Sequence, residues 1–217
     1  MSSEMNLFIC GDSTAASYDL SQSLIAGWGM YLPDHLPASV HVQNHAMAGR
    51  STKTFLEEGR LSRIEPLLRP NDLLLIQFAH NDEGPKPERH TEPWTSFTDN
   101  LSVFISAART HGARPVLVTP ICIRNWENGV LLPSHGEYLD AMHALAEREN
   151  VPLVDLYAMT YEKVRSLGEE ESKSFYMVFP AGTDPRYPDG SADTTHTRIP
   201  GAKCYAALAA PKILEIL

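Results

Sequence analysis

Five short segments rich in apolar residues limit the folds that this chain can adopt. They span residues 5–10, 40–44, 73–78, 115–119 and 152–155. Strands that helices cover on both faces have nearly continuous apolar runs, which are typical of parallel sheets. We therefore predict five parallel strands in one central sheet.

Apolar residues also recur at helical spacing between and after these segments. The positions concerned are Phe97, Leu101, Phe104, Ile105 and Ala108, then Leu139, Met142 and Leu145. A last helix is predicted from about Pro200 to Leu217, with a kink at Pro211. Strands alternating with helices predict a three-layer α/β/α sandwich with a central five-stranded parallel sheet.

Composition limits the classes of protein that this chain can belong to. Its 217 residues suit a single domain, residues 1–217. With 43% hydrophobic and 21% charged residues, the chain is neither disordered nor membrane-spanning in character. A net charge of −9 without a basic cluster argues against a nucleic-acid partner. Residues 1–6 lack a secretory pattern, so we expect a cytoplasmic protein. Its oligomeric state is left open.

Polar clusters follow several of the predicted strands, where open parallel sheets bind their ligands. Ser13 comes directly after the first strand and precedes a predicted helix start at residues 14–16. A serine becomes a nucleophile for acyl transfer when an imidazole base and an orienting carboxylate lie close to it. Ser13 is thus a candidate nucleophile, and the alternative is that it only caps the following helix.

Asp193 and His196 can supply the carboxylate and the base. They are three residues apart, on a segment predicted to be a loop or a single turn. One short segment would then deliver both groups to Ser13. A chain with nine histidines can also contain such a pair by chance.

An acyl-transfer site also needs fixed hydrogen-bond donors for the developing oxyanion. Gly49 follows the second strand, where a glycine lets the backbone turn an N–H group toward a substrate. Asn81 follows the third strand and has a side-chain amide donor. Either residue can equally be a turn former.

Taken in order, these motifs resemble the four blocks of the SGNH, or GDSL, hydrolase superfamily. Within that superfamily the chain is similar to the rhamnogalacturonan acetylesterases. The matching stretches are residues 11–14, 44–51, 58–60, 77–82 and 193–196, followed by Gly201 and Ala202. One departure is Ala79, where the family usually has glycine. The extra methyl group is acceptable there if the backbone has a negative φ.

The resemblance implies a flavodoxin-like sandwich with a Ser13–His196–Asp193 triad. It implies an oxyanion hole made by the N–H groups of Ser13 and Gly49 and by the Asn81 amide. No cofactor and no metal are implied.

Further candidates for contacting the substrate are Arg50, by pairing with a uronate carboxylate, Trp126, by stacking on a sugar, and His80, which adjoins Asn81. The alternatives are that Arg50 braces its own turn and that Trp126 packs beneath its loop.

The sequence therefore predicts a serine esterase that removes O-acetyl groups from a carbohydrate, with rhamnogalacturonan oligosaccharides from pectin as the expected substrate. Two alternatives stay open. One is a related esterase, lipase or thioesterase that acts on other acyl groups. The other is a non-catalytic carbohydrate-binding protein on the same scaffold, against which the combination of Ser13, Asp193 and His196 argues.

Overall fold

The computed structural model describes residues 4–217, so residues 1–3 of the N-terminal stretch considered above lie outside the described residues. The strands are β1 (Met5–Gly11), β2 (Val40–Asn44), β3 (Leu73–Gln77), β4 (Arg114–Val118), β5 (Trp126–Glu127), β6 (Val130–Leu131), β7 (Leu153–Val154), β8 (Tyr176–Phe179) and β9 (Ser191–Thr197). The α-helices are α1 (Thr52–Glu57), α2 (Arg60–Ile64), α3 (Thr98–Thr110), α4 (Glu137–Glu149), α5 (Leu156–Ser172) and α6 (Ile199–Ile216).

Five strands form one parallel sheet in the order β2-β1-β3-β4-β7. Each corresponds to one of the five predicted segments, and the predicted fold class is confirmed. Two small antiparallel hairpins, β5–β6 and β8–β9, were not predicted. Strands β5 and β6 have only two residues each and β9 is polar, whereas β8 is a short apolar run, residues 176–179, that the prediction did not include.

Alternate residues of each central strand face different hydrophobic cores. In β1, Leu7 and Ile9 belong to one core together with buried residues of α5 and α6. Phe8 and Cys10 belong to the other core, together with buried residues of α1 to α4. Both faces of the sheet are therefore covered, which explains the continuous apolar runs and gives the three layers. Cys10 is a fully buried core residue, and burial raises the pKa of its thiol.

The strand order places the functional loops beside one another. The chain passes from β1 to β2 on one side and then crosses over β1 to β3 on the other. Such a reversal of strand order creates a crevice beyond the carboxyl ends of the strands, where open α/β sheets bind ligands. The segments after β1, β2 and β3 all lead from this edge of the sheet.

Two local expectations were wrong or need refinement. Residues 13–15 form a turn rather than the start of a helix, so Ser13 does not cap one. The last helix does form, but it continues through Pro211 to Ile216. Among residues 4–217, no helix has the length and apolar character needed to cross a membrane.

Candidate active site

The turn that carries Ser13 is built by its neighbours in the sequence. Asp12 is fully buried, and its Oδ1 accepts hydrogen bonds from the backbone N–H of Thr14, at 2.9 Å, and from the Thr14 hydroxyl, at 2.8 Å. Gly11 lets β1 approach β3 closely, since a Cβ atom there would lie 2.9 Å from the Gln77 carbonyl oxygen. Glycine and aspartate before Ser13 thus hold the turn tightly against the sheet.

Two further side chains fix this turn from outside. Gln77, at the end of β3, donates from Nε2 to Asp12 Oδ2 at 3.2 Å and accepts from the Thr14 hydroxyl at 3.1 Å. The Tyr18 hydroxyl donates to the Ser13 carbonyl oxygen at 2.8 Å. Burial raises the pKa of Asp12 to about 6, although hydrogen bonds from Thr14 oppose the shift. The role of Asp12 is to support the turn, since one carboxylate oxygen accepts from Thr14 within the turn and the other accepts from Gln77 of β3.

An irregularity in β9 brings Asp193 and His196 together. In a regular strand, residues three apart point to opposite faces. Here Tyr176 of β8 pairs with Thr197, and the next residue, Met177, pairs with Asp193. Residues 194–196 therefore bulge out of the β8–β9 pairing, which re-aims their side chains. The expectation that the pair lies on a loop or a turn was wrong, because both residues belong to a strand whose bulge takes the place of a turn.

Ser13, His196 and Asp193 form a continuous chain of hydrogen bonds. His196 Nε2 lies 2.9 Å from Ser13 Oγ, and His196 Nδ1 lies 2.6 Å from Asp193 Oδ2. Asp193 Oδ1 also accepts from the backbone N–H groups of Thr195, at 2.9 Å, and His196, at 3.0 Å. Both carboxylate oxygens are thus engaged, so the imidazole is held with Nδ1–H toward Asp193 and Nε2 toward the serine hydroxyl.

The same contacts set the ionisation of the pair. Burial by itself lowers the pKa of His196, but the hydrogen bond and charge of Asp193, with the charge of Asp12, outweigh it and raise the pKa above 6.5. Burial opposes ionisation of Asp193, yet its bonds to His196 and to backbone N–H groups lower its pKa. Asp193 is therefore an anion at neutral pH, and its charge favours the protonated form of His196.

Gly49 and Asn81 lie in neighbouring loops after β2 and β3. Gly49 has a φ of 78°, a left-handed conformation that favours glycine. Asn81 Nδ2 donates to the Arg50 carbonyl oxygen at 3.0 Å, and Arg89 Nη1 donates to Asn81 Oδ1 at 3.2 Å. These two contacts orient the amide, whose NH₂ group keeps a second hydrogen for another acceptor.

Asp82 joins these two loops to each other. It is fully buried and accepts hydrogen bonds from the backbone N–H of Thr52, the first residue of α1, and from the Thr91 hydroxyl. Burial raises the pKa of Asp82 to about 7, against the lowering effect of these hydrogen bonds. The carboxylate thereby fixes the segment that contains Asn81 against the segment that follows Gly49.

Ala79 does not meet the condition set from the sequence. Its φ is 131°, so the backbone is positive rather than negative, in a region that favours glycine. The side chain is completely buried. The residue before His80 and Asn81 thus adopts a backbone conformation that is unfavourable for alanine.

The three candidate substrate contacts lie in different surroundings. Arg50 donates from Nε to the Glu58 carboxylate at 3.1 Å and from Nη1 to the Ala48 carbonyl oxygen at 2.8 Å, so it braces its own turn. Trp126 lies in β5, is partly buried against a hydrophobic core, and lines a groove with Tyr161. Neither ring nitrogen of His80 is in contact with solvent, and burial lowers its pKa well below the usual value.

Sequence reasoning missed Arg89, which lies beside both candidate oxyanion residues. Besides its hydrogen bond to Asn81, its guanidinium group lies about 3.5 Å from where a Cβ atom of Gly49 would be. The residue is in a polar segment, 83–92, without periodicity or a recognisable motif. Only the folded loop reveals its position.

Comparison with known proteins supplies the family. The sequence profile of the GDSL-like lipase/acylhydrolase family matches residues 9–198. The chain belongs to this family. The resemblance predicted from the motifs is thereby confirmed, and the match includes the positions of Ser13, Gly49, Asn81, Asp193 and His196.

Similar proteins within and around the GDSL-like family agree with this assignment. The chain is 41% identical to rhamnogalacturonan acetylesterase RhgT of Bacillus subtilis, over 100% of this chain and 92% of that protein. It is 39% identical to the probable rhamnogalacturonan acetylesterase YesY of the same organism, over 97% of this chain and 93% of that protein. The crystal structure of YxiM from Bacillus subtilis superposes with a TM-score of 0.83 at 27% identity, covering 99% of this chain and 57% of that one. The acetylxylan esterase Axe2 of Geobacillus stearothermophilus shares the fold, with a TM-score of 0.64 at 16% identity. The superposition covers 98% of this chain and 94% of that one.

Proposed function

We propose that this protein is a carbohydrate acetylesterase in which Ser13 is the nucleophile. The observation that carries the proposal is the unbroken hydrogen-bond chain from Ser13 Oγ through His196 to Asp193. A serine hydroxyl needs a base within about 2.6–3.2 Å and a group that orients this base. Here His196 is the base and Asp193 is the group that orients it. A purely carbohydrate-binding protein has no need of this arrangement.

The reaction proceeds in two steps. His196 Nε2 takes the Ser13 hydroxyl proton while Oγ attacks the acetyl carbonyl carbon. The N–H groups of Ser13 and Gly49 and the second amide hydrogen of Asn81 stabilise the oxyanion. The bond between the acetyl carbon and the sugar oxygen then breaks, His196 protonates this oxygen so that the sugar departs as an alcohol, and the acetyl group stays on Ser13. Water, activated by His196, hydrolyses this ester, and Asp193 stabilises the imidazolium in both steps.

Rhamnogalacturonan oligosaccharides are the substrate that the comparisons favour. The two relatives with about 40% identity are named as rhamnogalacturonan acetylesterases, one of them as a probable one, and the similarity extends over nearly the whole of both chains. Because the similarity covers nearly the full length of these relatives, we infer both the acyl group and the carbohydrate class of the substrate from them. An acetyl group on a pectic oligosaccharide is therefore the proposed target.

Acetate release from a panel of acetylated oligosaccharides tests this substrate. We expect fragments of rhamnogalacturonan to be deacetylated with a higher kcat/KM than acetylated xylan and chitin fragments of equal length. Acetyl, butanoyl and octanoyl esters of p-nitrophenol make a second series with one leaving group. Faster cleavage of the octanoyl ester than of the acetyl ester would overturn the acetyl preference while leaving the triad intact.

The activity is expected to rise with pH through the pKa of His196. The base must be neutral to accept the Ser13 proton, and the hydrogen bond and charge of Asp193, with the charge of Asp12, raise its pKa above the usual histidine value. A plot of kcat/KM against pH should therefore show an acid limb with its midpoint above 6.5. The Asp193→Asn change removes the carboxylate charge, so NMR titration of the His196 ring should give a lower pKa in that variant. An activity that does not fall on acidification, or a His196 pKa that is unchanged in Asp193→Asn, would contradict the assignment of this base.

A further inference from the structure

A cluster of His80, Glu83 and His135 lies outside the triad. One ligand atom from each of these side chains lies within 4.8 Å of the corresponding atoms of the other two. His80 and Glu83 come from the segment after β3, and His135 comes from the segment before α4. The rings of the two histidines meet edge to face with centroids 4.6 Å apart. The proposed acetylesterase reaction uses none of these three side chains.

The hydrogen bonds of His135 leave one nitrogen directed at an acceptor. Its side chain is fully buried, and Nε2 lies 2.8 Å from the Ile121 carbonyl oxygen, to which it donates. In a neutral imidazole the other nitrogen, Nδ1, then carries a lone pair. That nitrogen lies 3.0 Å from Glu83 Oε1, which in a carboxylate is also an acceptor. Two acceptors at this distance need a cation between them, either a proton or a metal ion.

His80 adds a third lone pair to the same place. Among residues 4–217, neither of its ring nitrogens has a hydrogen-bond partner, and both are out of contact with solvent. A buried polar atom without a partner is costly, so an unpaired imidazole beside another imidazole and a carboxylate indicates a missing ligand. The cluster therefore offers three lone-pair atoms, two ring nitrogens and one carboxylate oxygen. It contains no hydrogen-bond donor that could satisfy all three.

We propose that His80, Glu83 and His135 form a binding site for a zinc ion. Two imidazoles and one carboxylate, with a fourth position left for water, are a donor set that zinc accepts at about 2.0–2.2 Å. Tetrahedral coordination places ligand atoms roughly 3.3 Å apart, so ligand atoms that now lie within 4.8 Å of one another would move closer together when the ion binds. The bond from His135 Nε2 to the Ile121 carbonyl is the outer contact that orients a metal-binding histidine.

Zinc at this position would fix the segment that carries Asn81. Asn81 lies between His80 and Glu83 in the sequence, and the ion would join this segment to the residue two positions before α4. The Glu83 side chain is 23% exposed and provides the route of entry for the ion. Binding of zinc to the folded state should therefore stabilise the protein against unfolding.

Calorimetric titration of chelator-treated protein with Zn²⁺ tests the proposal. We expect one ion per chain, and a loss of affinity on the order of 100-fold or more in Glu83→Gln and His135→Asn, because loss of a ligand costs at least as much as loss of an outer contact. Asparagine suits position 135, where φ is 71°. Glu88→Gln and His90→Asn are the matched controls, since both residues are exposed in the same segment.

Thermal unfolding provides a readout that does not depend on activity. Zinc should raise the Tm of the wild type and of both controls, and should leave the Tm of Glu83→Gln unchanged. Since the Glu83 side chain is partly exposed, this variant is expected to fold even if His135→Asn does not. Unchanged zinc affinity in Glu83→Gln, or no binding to the wild type, would overturn the proposal. Neither result would affect the assignment of Ser13, which is tested by acetate release.

Discussion

Replacing Ser13 by alanine is expected to lower kcat for acetyl esters by about 10⁴–10⁶-fold, the range seen when the nucleophile of a serine triad is removed. The change removes Oγ, the atom that attacks the acetyl carbonyl in the proposed reaction. His196 loses one hydrogen-bond partner, at 2.9 Å, but keeps its contact with Asp193. The residual rate would come from substrate binding and the oxyanion donors alone. Hydrolysis of p-nitrophenyl acetate by the purified variant measures the effect.

The stability of this variant should stay close to that of the wild type, because alanine differs from serine only by the loss of Oγ and fits the same space. Thermal unfolding then shows that the loss of activity is not a loss of the fold. Ser21→Ala is the matched control, since Ser21 is an exposed serine of the same β1–β2 connection and hydrogen-bonds only locally. Equal rates for wild type and Ser13→Ala would rule out Ser13 as the nucleophile, and with it the proposed mechanism.

Replacing Asn81 by alanine is expected to lower kcat by about 10²–10³-fold, which is typical for the loss of one oxyanion donor. The amide is oriented by Arg89 at Oδ1 and by the Arg50 carbonyl at Nδ2, so its remaining hydrogen is fixed before the reaction. Because the negative charge develops on the carbonyl oxygen as Ser13 attacks, the effect should fall mainly on kcat and only weakly on KM. Steady-state kinetics with an acetyl ester separates the two constants.

Aspartate at position 81 is the isosteric comparison for this prediction. It preserves the oxygen that accepts from Arg89 but has no amide hydrogens, and it directs a second acceptor at the Arg50 carbonyl oxygen. We expect Asn81→Asp to lose at least as much activity as Asn81→Ala, whereas a purely space-filling role would leave Asn81→Asp nearly active. An unchanged kcat in both variants would remove Asn81 from the oxyanion hole.

The central fold could be predicted from the sequence because strands buried on both faces leave a strong signal. Leu73 and Leu75 enter one core, and Leu74 and Ile76 enter the other, so the first four residues of β3 are all apolar. The position of Ser13 after β1 follows from the same signal. The family motifs then indicated which polar residues act together.

The rest of the site depends on tertiary structure that local patterns do not encode. The strand β9 is polar, and it forms because it pairs with β8, while the bulge at residues 194–196 lets Asp193 reach His196. The positive φ of Ala79 could not be inferred from a residue that usually avoids it. Arg89 and His135 have their neighbours in other segments, so their positions emerge only when the loops pack together.

The most direct test of the account is to locate the acetyl group during turnover. Wild-type protein is mixed with p-nitrophenyl acetate, stopped with acid within the first turnovers and digested for peptide mass spectrometry. We predict a burst of p-nitrophenol of one equivalent per chain and an acetyl group on Ser13, because the activated ester acetylates Ser13 faster than water hydrolyses the acetyl-enzyme. An acetyl group on a different side chain, or turnover by Ser13→Ala at the wild-type rate, would contradict it.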